Sequence, residues 1–186
     1  TVKLTLQKFY RINGDATQLR GVVPDIILPD EMEYLKFREK DNPASLKWDE
    51  INKTDYNTWT STATDAAFIN SARQDVSSST TFSKIKANVD WLEKYSKKSY
   101  SLNINKFRQD QKMLKDVRKQ MDELYKLPNA MSITNLKADT ATIFAAKEKK
   151  ENNERWIKAI SKDVYVDETV KVLGKMIVEA NLAKKD

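Results

Sequence analysis

The sequence predicts a mainly α-helical domain preceded by a short β-hairpin element. Three observations predict it. Only three glycines occur in 186 residues, and Pro24, Pro29 and Pro43, three of the four prolines, fall in the first quarter, so most of the chain lacks the common breakers of regular structure. After Phe82 the apolar residues recur at intervals of three and four, the period of a helix. At the start they alternate instead, with Val2, Leu4 and Leu6 on every second position as in a half-buried strand.

That strand leads into Asn13-Gly14-Asp15, where Asn13 and Gly14 suit the positive φ of a tight hairpin turn. A second extended piece follows, with Val22, Val23, Ile26, Ile27 and Leu28 as β-formers, while Pro24 keeps it out of the centre of a regular ladder. A short helix is predicted over Asp30–Lys40 with Met32, Tyr34 and Leu35 inward, stopped by Asp41, Asn42 and Pro43. Ser45–Ala63 places Trp48, Tyr56 and Trp59 at irregular spacing and reads as an ordered connection. The Ser/Thr run 77–81 reads as a loop ending in a helix cap at Thr80 or Thr81.

Phe82, Ile85, Val89 and Leu92 then form one stripe on a helix reaching about Lys98, where Lys97 and Lys98 suit the negative end of the helix dipole. A longer helix over Lys106–Leu127 puts Phe107, Leu114, Val117, Met121 and Leu124 on one face, and Pro128 ends it. The charge-mixed run 147–156 carries no apolar period. A last helix over Asp167–Leu182 is predicted with Val170, Leu173, Ile177 and Ala180 inward. The resulting division is 1–30 for the β element, 31–81 for a connecting segment and 82–186 for the helical domain.

Composition excludes several chemistries. With no cysteine and no histidine there is no disulfide, thiolate zinc site, Cys nucleophile or imidazole base, and Ser-His-Asp catalysis cannot occur within the chain. Gly14, Gly21 and Gly174 are isolated from one another, so no phosphate-cradling loop exists. Hydrophobic residues make up 40% and charged ones 32%, with a mean hydropathy of −0.68, and no run of about 18 apolar residues could span a bilayer. The net charge of +6 equals the local excess from Lys84 to Lys126, where 12 Lys or Arg stand against 6 Asp or Glu. Those charges alternate in sign along helices, which describes a solvated face, and no nucleic-acid partner is expected.

The remaining candidates read as structural. Asp30, Glu31, Asp49 and Glu50 are first-turn or surface acids rather than catalytic pairs. Ser83 beside Lys84 is a helix-start residue, and Thr1 would act as an N-terminal nucleophile only if processing exposed it. Trp48, Trp59, Trp91 and Trp156 are anchors between elements rather than a stacking platform. No catalytic, cofactor-binding or metal-ligating residue is assigned, and no cofactor is expected.

The stretch QKFYRINGDATQLRGVVPDIILP is more specific than any of these patterns. Lys8, Phe9, Tyr10 and Arg11 precede the turn at Asn13 and Gly14, followed by Thr17, Gln18, Gly21, Val22, Pro24 and Asp25. This order resembles the region just beyond the catalytic lysine of tail-specific (C-terminal processing) serine proteases. SLKWDEINKTDY resembles the next segment of their longer, periplasmic members, and DAAFINSARQDV and SLNINKFRQD have looser counterparts there.

The resemblance implies a parent enzyme, a serine-type endopeptidase with a Ser/Lys dyad and a PDZ-like module that engages substrate C-termini. It also implies a periplasmic location, and as partners the upstream protease and PDZ-like domains of the same parent chain, protein substrates and an adaptor protein. The family's Ser-Ala and Phe-Gly-Lys-Gly motifs lie upstream of the matching stretch, and neither occurs here. The expected role is therefore non-catalytic: support of the protease sheet through the hairpin, enclosure of substrate, or adaptor docking. The alternative is a free-standing helical interaction module.

Overall fold

The computed structural model describes residues 5–57 and 66–182. The predicted positions Thr1, Val2, Leu4 and Trp59, and the side chain of Ala180, lie outside the described residues. The helices are α1 (Ala66–Ser78), α2 (Thr80–Ser96), α3 (Ile104–Leu124), α4 (Thr140–Ile143), α5 (Lys147–Ile160) and α6 (Val164–Leu182). Short 3-10 turns at Glu31–Tyr34, Glu39–Asp41 and Lys137–Asp139 join them. The mainly helical expectation holds.

The predicted hairpin does not form as a ladder. Among the described residues there is no strand, and extended pairing is reduced to single bridges such as Tyr10 with Ala16 and Asp15 with Glu50. The turn itself is present: Gly14 N–H donates to Arg11 O at 2.8 Å and Gly14 adopts φ +92°, a conformation glycine takes without steric cost. Asn13, predicted to share the positive φ, does not. Beyond Ala16 the chain turns again, with Leu19 and Gly21 both at φ +62° and Gly21 N–H bonded to Thr17 O, so residues 22–29 leave in another direction. The partner of the turn is the distant strap 49–54 instead, through Ala16 N to Asp49 O, Ile51 N to Gly14 O and Thr54 N to Ile12 O.

The core gathers where α1, α2, α3 and α6 meet. Phe82, Ile85, Val89 and Leu92 are all buried, as their spacing predicts, and Val76, Met121 and Val164 pack with Phe82, Ile85 and Val89. Ser79, not Thr80 or Thr81, caps α2. The segment 26–34 closes the core as Ile26, Leu28 and Tyr34 lie against it, and the Tyr165 hydroxyl donates to Pro29 O at 2.6 Å across 136 residues of sequence. The predicted helix over Asp30–Lys40 shrinks to the two 3-10 turns, because Asp30 caps the first by accepting from Met32 N and Leu35 is already extended.

Helices α2 and α3 form an antiparallel hairpin. Met121 packs near the start of α2, whereas Tyr95 near its end donates to Asp110 O at 3.3 Å and Lys98 pairs with the Asp110 carboxylate at 2.7 Å. Of the predicted α3 face, Met121 is buried, Leu114, Val117 and Leu124 are half-buried, and Phe107 is exposed. Asn103 opens α3 by accepting from Asn105 N and Lys106 N. Asn103→Ala is expected to cost about 1 kcal/mol of stability, measured by urea denaturation, while Asn103→Asp should preserve it. An unchanged midpoint for Asn103→Ala would contradict the cap.

The predicted inward face of α6 is corrected. Val170, Leu173 and Ile177 are exposed, while Val164 and Glu168 are buried and Val172 and Met176 half-buried. Apolar residues surround much of this helix, so periodicity does not choose a face. Its rotation follows from the Tyr165 ring, packed 5.7 Å from both Phe82 and Tyr125, and from the Lys175–Asp75 ion pair to α1. Asp163 starts α6 by accepting from Tyr165 N at 2.7 Å and Val166 N at 3.2 Å.

Candidate functional site

Residues near the N-terminus form a limb whose apolar side chains face solvent. Leu6, Phe9, Ile12, Val22, Val23 and Ile27 are all exposed, Leu6 to 86%. The limb's first half is nevertheless fastened. Lys8 Nζ meets the Asp49 carboxylate at 3.0 Å and Lys47 O at 2.7 Å, and the Tyr10 hydroxyl donates to the same carboxylate at 3.2 Å. Trp48 Nε1 donates to Ala16 O at 3.0 Å, with the Arg20 guanidinium 3.8 Å above its ring. Gln18 reaches the Glu39 carboxylate, which also accepts from Leu19 N. Asp49 is thus an organiser of the limb, and Glu50 contributes its backbone to the bridge with Asp15.

Among the described residues, concavities border the core, including two that hold polar side chains. One of about 380 Å³ is lined by Ile27, Val76 and Phe82 together with Arg73 and Lys86. The Arg73 Nε donates to Asp25 O at 2.8 Å, and Lys86 lies 3.5 Å from Asp90, so both cations have structural partners. The other, about 310 Å³, is lined by Asp30, Glu31, Tyr125, Asp163 and Tyr165. Its two rings stack with an interplanar angle of 22°. Burial pushes both hydroxyl groups toward higher pKa, Tyr125 far above the ordinary tyrosine value, so at neutral pH both are protonated and neither is a base; Tyr165 donates to Pro29 O, whereas the buried Tyr125 hydroxyl has no hydrogen-bond partner among the described residues. Asp30 and Asp163 serve as caps, which leaves this hollow without a free nucleophile–base pair.

The other sequence candidates fall apart from one another. Ser83 donates its hydroxyl to Ser77 O at 3.2 Å, a contact across the start of α2. Trp91 stacks on Tyr95 at 4.8 Å, while Trp156 is exposed on α5 and anchors nothing in the core. Among the described residues, no group of His, Cys, Asp and Glu is arranged to hold a metal ion, and no helix is long and apolar enough to cross a membrane.

The family model "C-terminal domain of tail specific protease (DUF3340)" matches residues 32–178, well over half of the chain. The chain belongs to this family. The "Tail-specific protease" of Haemophilus influenzae is 40% identical over 55 residues, which are 30% of this chain and 8% of that protein. The match thus takes in only a small part of that relative's length. No solved structure matches the chain. Within this tail-specific protease C-terminal domain the family match includes α1 to α5, most of α6, the strap and Glu39, whose carboxylate accepts from Gln18 and Leu19 of the limb, while the limb itself precedes the matched residues. Sequence reasoning missed the limb's attachment to the strap, because no local pattern links Gly14 to Ile51. The signal available was the pair Trp48-Asp49, an aromatic anchor beside an acid that meets Lys8.

Proposed function

We propose that this domain is the non-catalytic C-terminal portion of a periplasmic serine endopeptidase that cleaves proteins recognised by their C-termini, and that it braces the catalytic body through its limb. The observation that carries the reading is a limb fixed from behind by Asp49 and Trp48 yet apolar toward solvent. Ordering a segment that leaves Leu6, Phe9, Ile12, Val22 and Val23 in water is unfavourable unless another surface covers them. Family membership supports reading that surface as the protease body of a parent chain. The catalytic serine and lysine belong to that neighbour, and the domain contributes position rather than chemistry.

The test compares degradation of an unfolded protein by the parent, by the parent with its upstream serine changed to alanine, and by the 186-residue chain. Activity is expected in the first alone. Cleavage by the isolated chain, or by the serine variant, would overturn the division of labour. Phe9→Asp combined with Val22→Asp in the parent is expected to lower its thermal stability and activity together, and an unaltered parent would remove the bracing role.

A further inference from the structure

The turn that joins the limb to the strap carries a reactive pair that bracing does not use. Asn13-Gly14 is the sole Asn-Gly pair in the sequence. In such a pair the glycine nitrogen can attack the side-chain amide of the asparagine and close a five-membered ring, because glycine has no Cβ to crowd the nitrogen and reaches more of φ/ψ space than any other residue. Asn13 is exposed, so water reaches it. The other asparagines precede larger residues, and Asn70 and Asn88 are also held inside helices.

The folded turn opposes the attack at each atom the reaction needs. Gly14 N–H donates to Arg11 O at 2.8 Å. The Asn13 amide is committed at both ends to Asp15: its Oδ1 accepts from Asp15 N at 3.3 Å, and its Nδ2 donates to the Asp15 carboxylate at 2.8 Å. The Ile51 carbonyl lies so close to Gly14 that a Cβ there would collide with it, and Ile51 N donates to Gly14 O at 2.9 Å, so the peptide units on either side of Gly14 cannot rotate in place. Ring closure therefore waits until the turn leaves the strap 49–54.

We infer that Asn13 is a site of spontaneous deamidation gated by the strap, and that the reaction makes release of the limb irreversible. In the open turn Gly14 N loses its proton and bonds to Asn13 Cγ, the Cγ–Nδ2 bond breaks, and Nδ2 departs as ammonia with that proton. One water then opens the succinimide at either carbonyl and leaves aspartate or, where the main chain continues through the side-chain carboxyl, isoaspartate. No oxidant or cofactor enters. Both products lose the Nδ2 donor to Asp15 and set a second carboxylate against the Asp15 carboxylate, which opposes return of the turn. Isoaspartate also adds a methylene to the main chain just before Gly14, which shifts the register that brings Ile51 N to Gly14 O and Thr54 N to Ile12 O. A limb that stays off the strap long enough is thereby kept off. The reaction is independent of which surface covers the limb's apolar side chains.

The test follows the 186-residue chain at mildly alkaline pH by peptide mapping, which reads both the mass gain and the isoaspartate at position 13. A synthetic peptide covering 8–18 gives the rate of the open turn. Modification of a transiently opened site tracks the open population, so the folded chain is expected to react at least about tenfold more slowly than the peptide. Asp49→Ala removes the carboxylate that holds Lys8 and Tyr10, and should speed the reaction in the chain. Sub-denaturing urea at constant helical circular dichroism is the second way to open the turn. Hydrogen exchange at the Ile51 and Thr54 amides measures the opening in each case, and the deamidation rate should rise in proportion to it. Asn13→Asp, which installs one product directly, should cut the protection of those amides by about tenfold, the equivalent of one lost hydrogen bond. The proposal is overturned by a peptide that does not react, by equal rates in peptide and chain, by a rate that does not follow the measured opening, or by full protection in Asn13→Asp.

Discussion

Phe82→Ala is expected to destabilise the helical core by about 3–5 kcal/mol, the range for removing a large buried aromatic side chain. Phe82 is nearly inaccessible and lies in the buried cluster with Val76 of α1, Ile85 of its own helix, Met121 of α3 and Val164 of α6, its ring 5.7 Å from that of Tyr165. The cavity would sit at the meeting point of four helices, where none can move in without leaving another. Since domains of this size have roughly 5–15 kcal/mol in total, thermal melting should fall on the order of 10 °C. Leu102→Ala is the control. It is completely exposed, so its effect should stay within about 0.5 kcal/mol. A Phe82→Ala loss below about 1 kcal/mol would contradict the packing described for α1, α2, α3 and α6.

Gly14→Ala is the second large effect, and it should be local. A methyl group at Gly14 would collide with the Ile51 carbonyl and lie 3.3 Å from Lys53 N, on top of a φ of +92° that alanine adopts only at a cost. Relief requires the strap 49–54 to move, which endangers the Ile51, Ala16 and Thr54 hydrogen bonds together. We expect a penalty on the order of 3 kcal/mol, combining about 1–2 kcal/mol of backbone strain with lost hydrogen bonds. Gly21→Ala separates the two contributions, because Gly21 has φ +62° but open space where a side chain would go. Hydrogen exchange at the Ile51 and Thr54 amides reads the outcome. Those amides should lose protection in Gly14→Ala while the helical circular dichroism signal stays constant. Retained protection would mean that the turn does not depend on the close approach of Gly14 to Ile51.

How much of this was legible in the sequence depended on whether the decisive contact was local. The α2 stripe was readable residue by residue, because Phe82, Ile85, Val89 and Leu92 bury on the side their spacing defines. Helix α1 was missed although Phe68, Ala72 and Val76 are its buried positions, since one of those three is an alanine and the pattern is thin. Helix α5 has no buried residue at all and is supported by pairs such as Lys147–Glu151 and Lys150–Glu154, which hydrophobic periodicity cannot register. The rotation of α6 and the partner of the Gly14 turn were both set at long range, by Tyr165 and by Ile51. The candidate site shows the same divide. The missing histidine and cysteine could be read directly, whereas the exposure of the limb exists only once the neighbouring elements have chosen their places.

The bond between Tyr165 and Pro29 also sets a timetable. A ribosome adding roughly 5–20 residues per second needs roughly 7–27 s to make the 136 residues between the two partners. Ile26 and Leu28 wait through the whole of that interval, and Phe82 through its later part, before Tyr165 and Val164 of α6 complete the cluster against which they pack. Nascent chains of this domain therefore carry a sticky, half-finished core for many seconds, and substitutions that weaken α6 should show first as lower yield from the cell, before any loss of stability is measured in the purified protein.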